Sequence, residues 1–514
     1  MDKADSTPQS IAASRDVIAW GAALVAFCLH ALFAGRYDLF RDELYFIVCG
    51  QHPAFGYADQ PPLVPLIAAG FYSLGHTVWL VRLPACLAAS GLAWLAVRFA
   101  RSLDGGTIAA IAAGLAATLA PMLMGITATL NTTVFDPLAW TFIAYLLVRA
   151  AKTEDYRLLI FAGLVAGIDL EIKYALVTWF MCLVVGLVLT PERRLFAQRK
   201  LWIGVTLAAV IAIPSLIWQA LHGFPFLELA AASRAKNADS TPVAFVLNQV
   251  LVMNPLLAPL WIAGLVAPFW LARLKVLRFL SIAFIADLVF VLVSHGKDYY
   301  LAACYPVLFV SGAVFIDYIA RSLWARLAAA GWAAAATAFS LWIMPMALPV
   351  LSVAGLITYM QHFPVKPQQQ EKSFKGTLLP QVFADQLGWH DFVDQVGAAW
   401  LKIPADERAR TAIKVDNYGE AAALDIYGKA YGLPPALSGH NQYYLWGMRG
   451  QHPTNLLVVQ NNPDRLAPYC QAATVLGVTQ SPNAMDYENG KAIAYCRTLK
   501  VDLATLWPQL KNYN

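Results

Sequence analysis

The chain has few charged residues, since Asp, Glu, Lys and Arg make up only 13% of its 514 residues. Ordinary soluble domains carry about twice that share, roughly 25%. Together with 59% hydrophobic residues and a mean hydropathy of +0.54, this excludes a disordered chain and argues against a single soluble globule. The net charge of +5 is small and scattered, which excludes a nucleic-acid-binding protein. Seven cysteines are too few for a disulfide scaffold. The composition predicts a polytopic α-helical membrane protein.

The charges that are present gather toward the C-terminus. Residues 361–514 hold 27 of the 69 charged residues, so a less apolar tail follows an apolar body. We predict a transmembrane domain over 1–360, a linker over 361–384 and a soluble α/β domain over 385–514. The polar, proline-containing stretch Gln361–Gln370 marks the start of the linker. Cys470 and Cys496 are the two cysteines of the tail. They can pair in an oxidising compartment, and their pairing is left open.

Apolar segments of spanning length recur along the body, and a spanning helix needs roughly 20 such residues. They predict about 11–13 transmembrane helices. Lys and Arg cluster in alternate loops, which marks those loops as cytoplasmic. With an odd number of spans, the tail lies on the outer side. The candidate segments are 17–34, 80–100, 107–124, 137–150, 158–173, 174–190, 201–220, 243–271, 279–294, 301–320 and 327–347.

The loop after the first span places two acids, Asp42 and Glu43, among apolar and aromatic residues. An ionisable residue at the edge of a membrane is a functional hypothesis by default. One interpretation is a re-entrant or membrane-surface segment that delivers a carboxylate to a cavity. The other is a solvated turn whose aromatic side chains lie in the interfacial belt.

Further ionisable residues are predicted on the same outer face. Asp136 starts the fourth span, where an ordinary helix cap is also consistent with Asp followed by Pro. Lys173 closes the fifth span, where a snorkelling lysine is the alternative. Carboxylates suit general-base catalysis or metal binding, and cations suit a phosphate. Carboxylates and cations together on one face of a membrane domain indicate a reaction on a lipid-linked phosphate. Other outer-loop candidates are Arg234, Lys297, Tyr299 and Tyr300.

Several short motifs occur in an order and spacing that resemble the GT-C superfamily of integral membrane glycosyltransferases. The closer resemblance is to the bacterial branch of the protein O-mannosyltransferase and lipid A aminoarabinose transferase families. The motifs are Arg41–Tyr45, Tyr57–Leu63, Arg82–Pro84, Phe135–Leu138, Ile172–Tyr174, Gly296–Leu301 with Tyr305–Pro306, and, in the tail, Asn417–Glu420, Ser438–Asn441 and Tyr444–Gly447.

The resemblance implies a GT-C fold with a C-terminal soluble domain and an inverting glycosyltransferase. The donor would be a polyprenyl-phosphate monosaccharide, undecaprenyl-linked in bacteria, and the acceptor a lipid, glycan or protein. Asp42 would act as the general base, with Glu43 as the second candidate and Asp136 orienting the loop or the acceptor. The implied location is the bacterial inner membrane, with the tail in the periplasm. The residues expected to bind the donor phosphate are Lys173, Arg234, Lys297, Tyr299 and Tyr300.

Asp59, Gln60 and Arg82 are expected to position the acceptor or the first outer loop. Gln60 stands where related sequences often have His, which leaves the role of the Asp59–Gln60 pair in doubt. A divalent metal ion is a candidate cofactor, with Asp42 and Asp59 as its candidate ligands.

Two other function classes remain open on the sequence. A transporter or flippase for a lipid-linked or anionic substrate would also place acids and cations in a membrane cavity. Ionisable residues grouped at the outer face, rather than at the midplane, favour the enzyme. A non-catalytic assembly or receptor protein would act through the tail.

Overall fold

The computed structural model describes residues 16–236, 241–364 and 379–513, and every structural statement below concerns these ranges. A helical body is followed by a small domain built on one sheet. Residues 365–378 of the predicted linker lie outside the described ranges. The α-helices of the body are Val17–Ala31, Arg41–Gln51, Leu63–Ser73, Val78–Ser102, Thr107–Leu119, Pro121–Ile126, Asp136–Thr153, Arg157–Leu170, Leu176–Val188, Arg199–Leu221, Pro225–Lys236, Pro242–Val252, Ala258–Val266, Arg278–Val293, Tyr305–Ile319, Leu323–Ile343 and Val353–Gln361.

Within the described ranges, five helical segments are long and apolar enough to cross a membrane, or seven if each of two bent pairs counts as one. Every predicted span contains a helix, but several are short, such as Val17–Ala31 and Thr107–Leu119. The count of 11–13 therefore stays a prediction. The five segments are Val78–Ser102, Arg199–Leu221, Ala272–Val293, Asp298–Ile319 and Leu323–Met346.

The predicted span over 243–271 is not one continuous helix, because the chain turns by 94° between Pro242–Val252 and Pro255–Phe269. Asn254 occupies the break with φ 74° and precedes a proline, which cannot donate a helical hydrogen bond. The Asn254 side chain donates to Ala336 O at 2.9 Å and to Ser340 Oγ at 2.8 Å. Its own oxygen accepts from Leu256 N. The apolar pattern could not show this break, since both halves are equally hydrophobic.

Two helices of the body cross at a pair of glycines. A Cβ added to Gly264 would lie 1.9 Å from Leu308 O, and one added to Gly312 would lie 1.9 Å from Leu260 O. Small residues at a crossing let two backbones approach closely, which stabilises helix pairs in membranes through van der Waals contact. The crossing joins Ala258–Val266 to the buried helix Tyr305–Ile319, whose first turns border the outer end of the body.

We expect Gly312→Ala to lower the stability of the protein by about 1–3 kcal/mol, the usual cost of overpacking. The methyl group has backbone on its far side, so the helices must separate. Gly331→Ala is the matched control, because an added Cβ there meets nothing within 4 Å. Thermal unfolding in detergent measures both variants. Equal melting temperatures for the two would contradict the close crossing.

The tail is built on a five-stranded sheet in the order β2-β1-β3-β5-β4. β1 lies parallel to β2 and β3, and β5 lies antiparallel to β3 and β4. The strands are β1 (Thr411–Val415), β2 (Leu437–Ser438), β3 (Asn455–Gln460), β4 (Cys470–Val478) and β5 (Ala492–Leu499); the helices are Gln381–Ala384, Trp389–Leu401, Ala405–Arg408, Tyr418–Tyr427, Gln442–Trp446 and Leu503–Leu506.

β4 is one of the two edge strands of this sheet, and the sequence pattern did not indicate it. Most of its side chains are exposed, so it lacks the apolar alternation that identifies a half-buried strand. A disulfide between Cys470 and Cys496 joins this edge strand to β5. The pairing left open by the sequence is therefore present.

The helix Arg41–Gln51 belongs to the first outer loop by sequence, yet it packs into the core of the tail. Its Leu44, Phe46 and Ile47 share one buried apolar cluster with tail residues from Trp389–Leu401 and β3. The aromatic surroundings of Asp42 and Glu43 thus belong to a cluster that joins this helix to the tail and to body residues such as Val81 and Leu130.

Candidate active site

The outer loop is anchored by Glu43, whose carboxylate is fully buried. It accepts from Arg82 Nε at 3.0 Å and Arg82 Nη2 at 2.9 Å, and from the backbone N–H groups of Phe40 and Leu130, both at 2.8 Å. The bond from Phe40 lies at the start of the helix Arg41–Gln51, where free N–H groups need acceptors.

Arg82 is equally buried and donates onward to Ala34 O at 2.8 Å and Asp38 O at 2.7 Å. Because these contacts occupy its buried guanidinium, Arg82 positions the loop. Glu43 does not line the cavity described below, and four N–H groups already occupy its oxygens. Its prediction as the second candidate base does not fit this geometry.

We expect Glu43→Gln to destabilise the protein by about 3–5 kcal/mol, because it leaves the guanidinium of Arg82 buried without its counter-charge. Glu228→Gln is the control, since the Glu228–Lys511 pair is exposed and such pairs contribute about 1 kcal/mol or less. Thermal unfolding compares the two variants. A similar small loss in both would show that Glu43 is not the anchor.

Asp42, the neighbour of Glu43, points in a different direction and lines the cavity. Its side chain is 31% exposed, and Arg41 Nε lies 3.9 Å from Asp42 Oδ1. The same oxygen accepts a hydrogen bond of 2.7 Å from the Tyr418 hydroxyl. Adjacent residues on a helix face different sides, so one acid anchors the loop and the other faces open space.

The cavity measures about 2430 Å³ and combines a polar end with an apolar groove. Residues from the first outer loop, from the outer ends of several body helices and from the tail form the polar end. The groove is lined by Met122, Leu251, Phe290, Phe339, Trp342 and Ile343.

Lys173 is one of the cations that line the polar end. Its ammonium donates to Thr133 Oγ1 at 2.6 Å and lies 3.8 Å from Asp136 Oδ2. Asp136 is buried at the first residue of the helix Asp136–Thr153 and lines the cavity. Phe135 occupies the N-cap position and no side chain makes a cap hydrogen bond, so the helix-cap interpretation of Asp136 is wrong, and its role in the site stays a prediction. Tyr299 and Tyr300 complete this group, with ring centroids 6.0 and 5.7 Å from the Lys173 ammonium. Arg234 and Lys297 line the same cavity.

The chain is similar to one protein-family model and to solved structures of one membrane protein. Residues 59–218 match the family model described as dolichyl-phosphate-mannose-protein mannosyltransferase. The structure of ArnT from Cupriavidus metallidurans bound to undecaprenyl phosphate is similar at 15% identity and a TM-score of 0.58, covering 93% of this chain and 97% of that one. The chain has the GT-C fold of membrane glycosyltransferases.

The apo structure of the same ArnT is similar at 15% identity with a TM-score of 0.57, and the match covers 96% of this chain and 99% of that one. A search of curated protein sequences finds no match. The predictions of a GT-C fold and of a multi-pass membrane protein are confirmed, and the family model matches part of the chain, residues 59–218.

Asp59 and Gln60 also line the cavity of the GT-C body, next to the tail. Asp59 accepts from the Tyr45 hydroxyl at 2.8 Å and from Asn441 Nδ2 at 3.3 Å. Burial, which disfavours the charged form, raises the pKa of Asp59 to about 6. Both amide atoms of Gln60 are buried without a hydrogen-bond partner in the described ranges.

A metal site at Asp42 and Asp59 stays a prediction. In the described parts of the chain, no group of three or more His, Cys, Asp or Glu side chains is arranged to hold a metal ion. Each of the two carboxylates already accepts a hydrogen bond from a tyrosine. No step below is routed through a metal.

Sequence reasoning missed the contribution of the tail to the site. Tyr418, His440 and Asn441 line the cavity beside the residues of the outer loop. The motifs that contain them were part of the family resemblance, and that was the available signal. Tyr443 and Trp446, in contrast, pack against each other with ring centroids 4.9 Å apart.

Proposed function

We propose that the protein is an inverting glycosyltransferase that moves a monosaccharide from a polyprenyl-phosphate donor to a lipid, glycan or protein acceptor. The observation that carries this is one cavity in which the accessible carboxylate of Asp42, the ammonium of Lys173 and an apolar groove meet. The groove suits a polyprenyl chain and the cation suits its phosphate. The ArnT structure with bound undecaprenyl phosphate supports the same donor class.

In this mechanism Asp42 takes the proton of an acceptor hydroxyl as the oxygen attacks the anomeric carbon. The bond from that carbon to the phosphate oxygen breaks, and polyprenyl phosphate leaves with the electron pair. Attack from the side opposite the leaving group inverts the sugar configuration. Lys173 stabilises the leaving phosphate, and Asp136 holds the ammonium in place from 3.8 Å.

We also propose that the cavity faces the periplasm of a bacterial inner membrane. Basic residues from alternate loops meet at one end of the body: Lys152 donates to Ser102 O at 2.8 Å, and Arg194 donates to Ala151 O at 2.7 Å. An excess of Lys and Arg marks cytoplasmic loops. The cavity and the disulfide-bonded tail belong to the other loops, and disulfides persist in oxidising compartments such as the periplasm.

The transporter alternative is not favoured. The match to a mannosyltransferase family model and the GT-C fold support an enzyme. Most acids and cations of the cavity also lie in loops or at helix ends, beside the tail; Asp287, midway along Arg278–Val293, is the exception.

Asp42→Asn should cut turnover by about 10²–10⁴-fold, the usual contribution of a general base, while leaving donor binding intact. The amide keeps the shape of the carboxylate and cannot take the proton. Release of polyprenyl phosphate from a polyprenyl-phosphate sugar in the presence of envelope extract measures the rate. Asp38→Asn is the control, because Asp38 lies in the same loop outside the cavity lining. Near-normal turnover of Asp42→Asn would refute the assignment.

Lys173→Ala should weaken donor binding about 10–100-fold, because it removes a charge-assisted contact worth about 1.5–3 kcal/mol. Binding of undecaprenyl phosphate to the purified protein in detergent measures this directly. Lys152→Ala, at the opposite end of the body, should bind like the unaltered protein. Equal affinities for all three proteins would remove Lys173 from the phosphate site.

A further inference from the structure

One side chain of the tail, Tyr418, contacts the proposed catalytic acid, Asp42. The hydroxyl of Tyr418 donates a 2.7 Å hydrogen bond to Asp42 Oδ1 across 376 positions of sequence. The other carboxylate oxygen, Oδ2, accepts no hydrogen bond from any residue in the described ranges. Asp42 therefore presents one held oxygen and one oxygen available to a ligand in the cavity.

The ring of Tyr418 is held from several sides. The guanidinium carbon of Arg41 lies 5.2 Å from its centroid, and the rings of Tyr45 and His440 lie 4.7 and 4.9 Å away. Gly419 permits this close approach, because a Cβ there would lie 2.4 Å from Arg41 Cγ. A ring clamped in this way delivers its hydroxyl to one point.

The backbone that carries Tyr418 is fixed at the first turn of the helix Tyr418–Tyr427. Asn417 Oδ1 accepts from Gly419 N at 2.9 Å and from Glu420 N at 3.0 Å. The Glu420 carboxylate accepts from Asp416 N at 2.8 Å and pairs with the buried Lys491. This reciprocal cap leaves the Tyr418 backbone little freedom.

The charged and titratable groups around Asp42 come from both domains. Arg41 lies beside Asp42, and the Tyr418 hydroxyl donates to it. The carboxyl groups of Asp59 and Asp385 lie close enough to interact electrostatically with Asp42. Burial raises the pKa of Tyr418, so its hydroxyl keeps its proton and remains a donor. Asp385 lies 3.7 Å from Arg41 Nη2 and also accepts from the Tyr487 hydroxyl at 2.9 Å. Arg41 is thereby shared between Asp42 and the tail.

We propose that Tyr418 is a positioning residue for the reaction: its hydroxyl holds Asp42 Oδ1 and leaves Oδ2 to take the acceptor proton. This rests on the proposed function of Asp42 as the base. It makes the C-terminal domain part of the catalytic site, although the reacting groups belong to the membrane body.

The test is Tyr418→Phe in the full-length protein, which keeps the ring and removes the hydroxyl. We expect kcat to fall about tenfold with donor KM within about twofold, since the phosphate contacts are untouched. The fall in kcat at nearly constant KM is the readout that distinguishes positioning of the base from loss of donor binding.

Tyr427→Phe is the matched control. Its hydroxyl lies on the same tail helix and donates a 3.0 Å hydrogen bond to Asp38, which is outside the cavity lining. The control should lose comparable stability yet keep the kcat and the donor KM of the unaltered protein. Melting temperatures of both variants show whether each one folds.

Two outcomes separate this inference from the proposed function. If Asp42→Asn is inactive while Tyr418→Phe and Tyr427→Phe both keep the kcat of the unaltered protein, the positioning role of Tyr418 is overturned and the enzyme assignment stands. If the unaltered protein releases no polyprenyl phosphate from the donor, the proposed function itself fails. A lower melting temperature of Tyr418→Phe with an unchanged kcat would assign the hydroxyl a purely structural role and also overturn the inference.

Discussion

The geometry of the outer face depends on the buried ion pair of Glu43 and Arg82. It ties together the end of the first helix through Ala34, the outer loop through Phe40 and Asp38, and the segment before Asp136 through Leu130. Removing both charges from water is costly, and the pair is stable only because nearly all of its hydrogen-bonding groups are satisfied. That requirement makes the local structure unique: a shift of any one segment would leave a buried charge without a partner. Because Asp42 is the neighbour of Glu43 in the sequence, this arrangement also fixes the position of Asp42.

Much of the architecture could be predicted because membranes impose simple rules. A span needs a long apolar run, charges at its edge are costly, and loop charge follows sidedness. These rules located Asp42, Asp136 and Lys173 at one face before any coordinates. Short runs of strand-forming residues at 411–415, 456–460 and 492–495 likewise predict strands, and they coincide with β1, β3 and β5.

The remainder depended on contacts between distant parts of the chain. The residues of Arg41–Gln51 alone do not show that its apolar face packs on the tail rather than on lipid, because apolar side chains are stable in both surroundings. Nothing local to Tyr418 says that its hydroxyl meets Asp42. The turn at Asn254 was missed for another reason: an asparagine before a proline is a weak signal inside an apolar run, and its stabilising partners lie on a helix some 80 residues later, at Ala336 and Ser340. The edge strand β4 was missed because its exposed side chains carry no pattern.

The burial of Arg41–Gln51 in the tail also bears on how such proteins can diversify. A domain with a closed core can be exchanged between relatives as a module, but this tail completes its core with a helix encoded more than 300 residues earlier. Its separate expression would expose Trp389, Phe392 and Val393 to water where Leu44 and Phe46 now cover the same cluster. A graft of the tail onto another membrane body would therefore have to bring the outer loop with it. The two regions are expected to change together, so a new acceptor specificity would arise by paired substitutions across their interface rather than by replacement of the tail alone.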